Sequence, residues 1–218
     1  MKILYRDDDV LVCEKPYGVS SQKSDGENML DIIRDELGVE AYVIHRLDIT
    51  TSGLMVYALN KESASSLSAQ IANHRFTKGY LAITHTEIGS DRETLTDYLF
   101  HDKRQNKVFV VDEHKKGAKK AILSFSLMGH GRLNGYPVSV LKVRLETGRT
   151  HQIRAQLSHF GTPLVGDKKY GARDNCKRIG LYSYMIGFMH PKTDEPMLFK
   201  QLPLDDELWK GLRFTYLE

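Results

Sequence analysis

The stretch Ile122-Leu123-Ser124-Phe125-Ser126-Leu127-Met128-Gly129-His130-Gly131-Arg132-Leu133-Asn134-Gly135-Tyr136-Pro137-Val138-Ser139-Val140-Leu141 lies inside a longer region, Thr94 to Glu146. That region reads mainly as strands joined by turns, with Gly-His-Gly and Leu-Asn-Gly between the last two strands. Upstream, Val10 to Glu14 is mostly apolar and reads as a strand that stops at Pro16. A polar loop runs through Gly26. Asn28 then caps a helix, Met29 to Leu37, whose apolar residues have helical spacing and whose stop signal is Gly38. Tyr42 to Ile44 is a short strand, His45 to Gly53 is turn-like, and Leu54 to Leu59 is again a strand. Asn60 caps a second helix that reaches about His74, and Gly79 to Ile83 is a strand. Downstream, Thr150 is expected to cap a helix carrying Ile153, Leu157 and Phe160, ended by Gly161 and Pro163. A strand near Leu181 to Met189 and a C-terminal helix after Pro203 complete the chain. Strands outnumber helices and the βαβ alternation is not sustained. The expected class is α+β, with a mixed, mostly antiparallel sheet flanked by helices and forming one domain over residues 1–218.

The composition limits the function classes. Hydrophobic residues make up 41% of the 218 and charged residues 27%, enough apolar material for a core and against disorder. No apolar run approaches the ~18 residues of a membrane span. The N-terminus lacks the apolar stretch of a signal peptide. Cys13 and Cys176 are far apart and imply no disulfide framework, so the default expectation is the cytoplasm; a monomer is expected as well. The formal net charge of +3 hides an asymmetry. Lys103 to Arg178 holds 17 Lys+Arg against 5 Asp+Glu, a formal +12, while the rest, 14 against 23, carries −9. So basic a block in a near-neutral chain suits a polyanion, although solvated strand faces fit the same count. None of the nine histidines pairs at i, i+4 and neither cysteine sits in a CxxC, so a structural metal is not expected. No GxGxxG, GxxxxGK[ST] or GxSxG occurs.

Two stretches carry chemistry. In His45-Arg46-Leu47-Asp48-Ile49-Thr50-Thr51-Ser52-Gly53 one carboxylate sits among a His, an Arg and three hydroxyls, between two apolar strands. Such a turn presents Asp48 on rigid supports, where reactive groups are often held. The same pattern fits an Asp that merely caps the turn through Thr50 or Thr51. In Glu146-Thr147-Gly148-Arg149-Thr150-His151-Gln152-Ile153-Arg154 a strand ends, a Gly turns the chain and a helix begins. Its N-terminus with Arg149 and Arg154 suits a phosphate or carboxylate, and it equally fits a solvated helix start.

Together these stretches resemble the signatures HRLDxxTSG and GRTHQIR of the RluA-type RNA pseudouridine synthases. Glu14-Lys15-Pro16 with Gly18-Val19, Lys78-Gly79-Tyr80-Leu81-Ala82, Gly166-Asp167 with Tyr170-Gly171, and His190-Pro191 match in family order. The resemblance implies an isomerase that converts uridine in tRNA or rRNA to pseudouridine: uracil leaves its N1–C1′ bond, reorients and rejoins through C5. It implies no metal and no organic cofactor, an RNA partner, no membrane, and a central catalytic cleft. Asp48 takes the place of the catalytic aspartate and Tyr80 that of the tyrosine that stacks on the base. Arg154 takes the place of the basic residue paired with the aspartate. Arg46 matches the position that reaches into the RNA where the base leaves the stack. A flipped base needs an aromatic platform, and a guanidinium beside a carboxylate favours its charged form. The basic block, with Arg149 and the cluster Lys115, Lys116, Lys119 and Lys120, is expected to hold phosphates. Two departures stand out. The chain starts almost at the catalytic domain, without the small N-terminal RNA-binding domain of many relatives, and Tyr182-Ser183 replaces a usual His-Ala. Two other functions remain in view: a base N-glycosylase using Asp48, and a non-catalytic RNA-binding or ribosome-assembly protein.

Overall fold

Two asparagines and a glycine set the first two helices of the structure, a computed structural model that describes residues 1–210 and 212. Helix α1 (Met29–Leu37) begins where the Asn28 side chain accepts the Asp31 N–H, and it ends where Gly38 takes a left-handed conformation, φ 69°. Helix α2 (Lys61–Ala72) begins where the Asn60 side chain accepts the Ser63 N–H. The chain divides into two compact units. One comprises residues 1–79 and 182–203; the other comprises residues 80–181 and the segment from 204 onward.

The first unit contains β1 (Lys2–Arg6), β2 (Val10–Lys15), α1, β3 (Tyr42–Val43), β4 (Ser52–Ala58) and α2. It also holds nearly all of β10 (Leu181–Met189) and β11 (Pro196–Lys200). Its strands run in the order β1-β2-β4-β10, with β3 on β4 and β11 on β10. All these pairs are antiparallel except β4 with β10, which pair in parallel through Ser52 with Tyr182 and Gly53 with Ser183. Val10, Val12, Leu54, Val56, Ala58, Leu67, Ile186 and Phe188 form its core. Each valine, leucine, isoleucine or phenylalanine among them contributes about 1.5–3 kcal/mol when fully buried, so β4, which supplies Leu54 and Val56, is anchored strongly. Gly53 has φ +114°, and a Cβ there would lie 2.6 Å from the Ser183 nitrogen, so the close parallel pairing requires glycine.

The second unit contains most of β5 (Thr77–His85), then β6 (Arg92–Asp102), β7 (Lys107–Val111), β8 (Lys119–Leu133), β9 (Tyr136–Leu145) and helix α3 (Gln152–His159). The strand order is β5-β9-β8-β6-β7, and β7, β6, β8 and β9 pair antiparallel. The β8–β9 hairpin turns at Asn134 (φ 50°) and Gly135 (φ 83°), the two left-handed residues of a type I′ turn. Leu99, Val108 and Ala121 pack with Ala155 of α3 and with Tyr170.

The mixed, mostly antiparallel α+β arrangement agrees with expectation, and several local readings are corrected. Gly129-His130-Gly131 is no turn. It lies within β8, where the register shifts between Leu127 and Gly129, so it marks a bulge. Thr150 does not cap α3. His151 precedes the helix at φ 49°, and the Gln152 side chain accepts the Arg149 N–H (2.9 Å) and the Thr147 hydroxyl (2.9 Å). Residues 204–210 form turns rather than the expected helix, and its continuation lies outside the described residues. Strands β1 and β11 were not expected at all.

Candidate active site

The Asp48 turn is built by side chains that sequence spacing does not connect. Lys15, the last residue of β2, is fully buried. Its ammonium donates to the carbonyls of Pro16 (2.8 Å), Val19 (2.8 Å) and Ile49 (3.3 Å). One cation thereby ties the loop after β2 to the residue next to Asp48. The Gly18 N–H adds a second tie to the Ile49 carbonyl (2.9 Å), the Ser21 hydroxyl donates to the Leu47 carbonyl (3.0 Å), and the Thr51 N–H closes the turn on the Asp48 carbonyl (2.9 Å). The backbone on both sides of Asp48 is therefore fixed before any substrate arrives. Burial pulls the pKa of Lys15 down to about 8, and the Asp48 carboxylate opposes that shift.

His45 opens the turn as a support. It is buried, its Nε2 accepts the Val56 N–H (3.3 Å), and its ring packs on Phe76. Burial, aided by Lys78, holds its pKa well below the ordinary value, so it is neutral and structural. Arg46 projects outward and donates to the Gln22 side chain (3.2 Å). The exposed position fits a group that meets a ligand at the surface.

In the second unit Arg154 is 5% exposed, on the buried side of α3. Its Nε and Nη2 donate to the two oxygens of Asp167 at 2.7 and 2.9 Å, a bidentate fork. The guanidinium also lies 5.0 Å from the ring centroid of Tyr170. The Tyr170 hydroxyl is fixed in turn, accepting the Val108 N–H (2.8 Å) and meeting Nδ1 of His151 (2.9 Å). This arrangement orients a buried cation with little freedom left. Asp167 itself is placed by a tight turn: Gly166 has φ +76°, and a Cβ there would strike the Arg178 carbonyl oxygen. Tyr80 stands on β5, 6% exposed, followed by the fully buried Leu81, Ala82 and Ile83.

The structure thus puts Asp48 and Arg46 in the first unit, and Tyr80, Arg154, Arg149 and the lysine cluster in the second. Arg149 and Lys120 adjoin, the Arg149 Nε donating to the Lys120 carbonyl (3.1 Å). Lys115, Lys116, Lys119 and Lys120 are all exposed around the β7–β8 turn, with the Lys115 ammonium 4.7 Å from the Phe100 ring centroid. Sequence reasoning missed the roles of Lys15 and Asp167. The available signals were a lysine closing an apolar strand and an acidic residue within a block of cations. Among the described residues Asp7, Asp9 and His190 come close enough to suit a metal. Their hydrogen bonds already explain them. Asp7 accepts from Tyr5, His190 and two backbone N–H groups, and Asp9 accepts from Asn60 and Ser63.

The fixed Asp48 turn and the forked, buried Arg154 guanidinium each lie on one of the two signature stretches. The family model for RNA pseudouridylate synthase matches residues 9–159, which include both stretches. The chain belongs to this family, in its RluA-type branch. The RNA pseudouridine synthase YlyB of Bacillus subtilis is 32% identical over 95% of this chain and 70% of its own length. The tRNA pseudouridine synthase C of Haemophilus ducreyi is 30% identical over 97% of this chain and 94% of its own length. Among solved structures, human RNA pseudouridylate synthase domain containing 1 superposes with a TM-score of 0.81. It is 28% identical and covers 99% of this chain and 90% of its own. The fold is therefore that of the pseudouridine synthases.

Proposed function

We propose that this chain converts uridine to pseudouridine in tRNA, with Asp48 as the nucleophile and residues 1–218 acting as one catalytic domain. The observation that carries the assignment of Asp48 is the pinning of its turn. Lys15, Gly18, Ser21 and Thr51 fix the backbone from Leu47 to Thr51, a degree of preorganisation that a simple turn cap does not need. Asp48 attacks C1′ of the bound nucleotide, forming an ester as the N1–C1′ bond breaks and the uracil leaves as its anion. The uracil turns and C5 bonds to C1′ as the ester breaks and frees the Asp48 carboxylate; N1 takes up a proton, and the C5 proton then leaves. Tyr80 supplies the base with an aromatic platform and is a candidate for taking that proton. Arg154, oriented by Asp167, is the basic residue of this reading.

The tRNA target is supported by the relative named tRNA pseudouridine synthase C, which matches this chain over nearly its whole length. The test is tritium release from C5-labelled uridine, run in parallel on transcribed tRNA and on ribosomal RNA. Release from tRNA alone is expected, and release confined to ribosomal RNA would overturn the target. Free uracil among the products would indicate a glycosylase instead. RNA binding without release would indicate a non-catalytic binding protein.

A further inference from the structure

We infer that the open face of β6, β8 and β9 in the second unit is a docking surface for the RNA backbone, separate from the face that carries Arg154. The inference rests on the reading of RNA as substrate. Strand alternation sorts the side chains. On β8, Ala121, Leu123 and Phe125 are buried and face α3, whose Gln156 donates to Asp97 and to the Ala121 carbonyl. The alternate residues, Ser124 and Ser126, therefore point the other way. The ladder carries this parity across the sheet. Arg92, Ser126 and Lys142 form one row, and Thr94, Ser124 and Arg144 form the next.

These six residues line a shallow depression of about 420 Å³. It offers three cations and three hydroxyls. Glu93 and Phe125 also reach its wall, but they belong to the opposite parity. Among the described residues Arg92, Lys142 and Arg144 form no ion pair, whereas Arg34, Lys23 and Arg178 each hold a carboxylate. Rows on one strand face repeat about every 7 Å and neighbouring strands lie about 4.8 Å apart, so Arg92, Lys142 and Arg144 flank the two serines of β8 and Thr94 completes the outer ring. Three cations around the two serines of β8 suit a run of phosphodiesters, which accept hydrogen bonds and carry negative charge throughout. A protein partner would call for a centre depleted of charge, whereas three cations border this one. Lys120, opposite Tyr98 in the same ladder, extends the face toward the β7–β8 turn, and Lys119, one residue away, faces the α3 side.

The test compares wild type with Arg92→Gln/Lys142→Gln/Arg144→Gln. Binding to a transcribed tRNA is measured over a range of salt, and tritium release is measured on a stem-loop trimmed to the modified uridine. The variant is expected to lose about two to three units of the slope of log K against log salt and to bind tRNA at least tenfold more weakly at physiological salt. Turnover of the trimmed stem-loop should stay within twofold of wild type. An unchanged slope with wild-type tRNA binding intact overturns the docking face and leaves the catalytic reading standing. Absence of both binding and release in the wild type overturns that reading and the docking face with it. Should the triple variant fail to fold, Lys142→Gln alone is expected to lose about one unit of slope, and no loss overturns the proposal.

Discussion

Lys15 shows how one residue can do the work of a scaffold. Its ammonium is enclosed by three carbonyls, so removing it strands several buried acceptors at about 1–3 kcal/mol each. Lys15→Met is expected to lose about 3 kcal/mol in urea unfolding and to loosen the Asp48 turn. The pH dependence has a definite sign. The folded pKa of about 8 lies below the ordinary 10.5 of the unfolded chain, so between these values the unfolded state binds more protons. The Lys15 contribution to stability therefore rises as pH climbs from 8 toward 10.5. The gap between wild type and Lys15→Met should widen over that window, and a gap that narrows would contradict the assignment. Tyr80 gives a second prediction at this scale. Tyr80→Phe keeps the ring and should bind RNA like wild type while turning over more slowly, and Tyr80→Ala should lose both. Equal turnover for wild type and Tyr80→Phe would remove the hydroxyl from the chemistry.

At the scale of elements, what the sequence makes legible is what local chemistry decides. The bounds of α1 follow from Asn28 and Gly38, because a cap is satisfied within four residues. Strands β1 and β11 escaped notice because each depends on a partner: β1 on β2, and β11 on β10. The bulge after Leu127 resembled a turn because glycines serve both. Helix α3 starts later than Thr150 suggests, since a Gln152 side chain bonded to Arg149 and Thr147 replaces the hydroxyl cap. The Asp48 turn was readable from one stretch. The Lys15 and Asp167 supports were not, being contacts across 34 and 13 positions. The parallel β4–β10 pairing yields a sharp prediction. Gly53→Ala must strain a left-handed backbone and push on Ser183, so it should cost about 3 kcal/mol or more. A urea midpoint within experimental scatter of wild type would show that the pairing can yield.

For the whole molecule, the basic stretch Lys103 to Arg178 falls entirely within the second unit. Charge placement was visible in the sequence; which side of a sheet each cation faces was not, because it depends on register. The exposed lysines at the β7–β8 turn make the prediction for this scale. Charge reversal at Lys115, Lys116, Lys119 and Lys120 should weaken RNA binding and flatten its salt dependence. An unchanged slope would show that these side chains make no phosphate contact. No helix among the described residues is long and apolar enough to cross a membrane.

The central claim is that Asp48 is the nucleophile. Asp48→Asn alters the charge and hardly the volume, so the fold and RNA binding should persist. An amide is a poor nucleophile, so turnover should fall to background rather than by a modest factor. Arg154→Met should lower activity, and Arg154→Lys should be milder because it keeps the charge, although a point charge lacks the fork that grips Asp167. The direct measurement is tritium release from C5-labelled uridine in transcribed tRNA, with RNA affinity measured on the same preparations. Background release by a folded Asp48→Asn protein that still binds RNA is the predicted result. Substantial release by that protein would contradict the account.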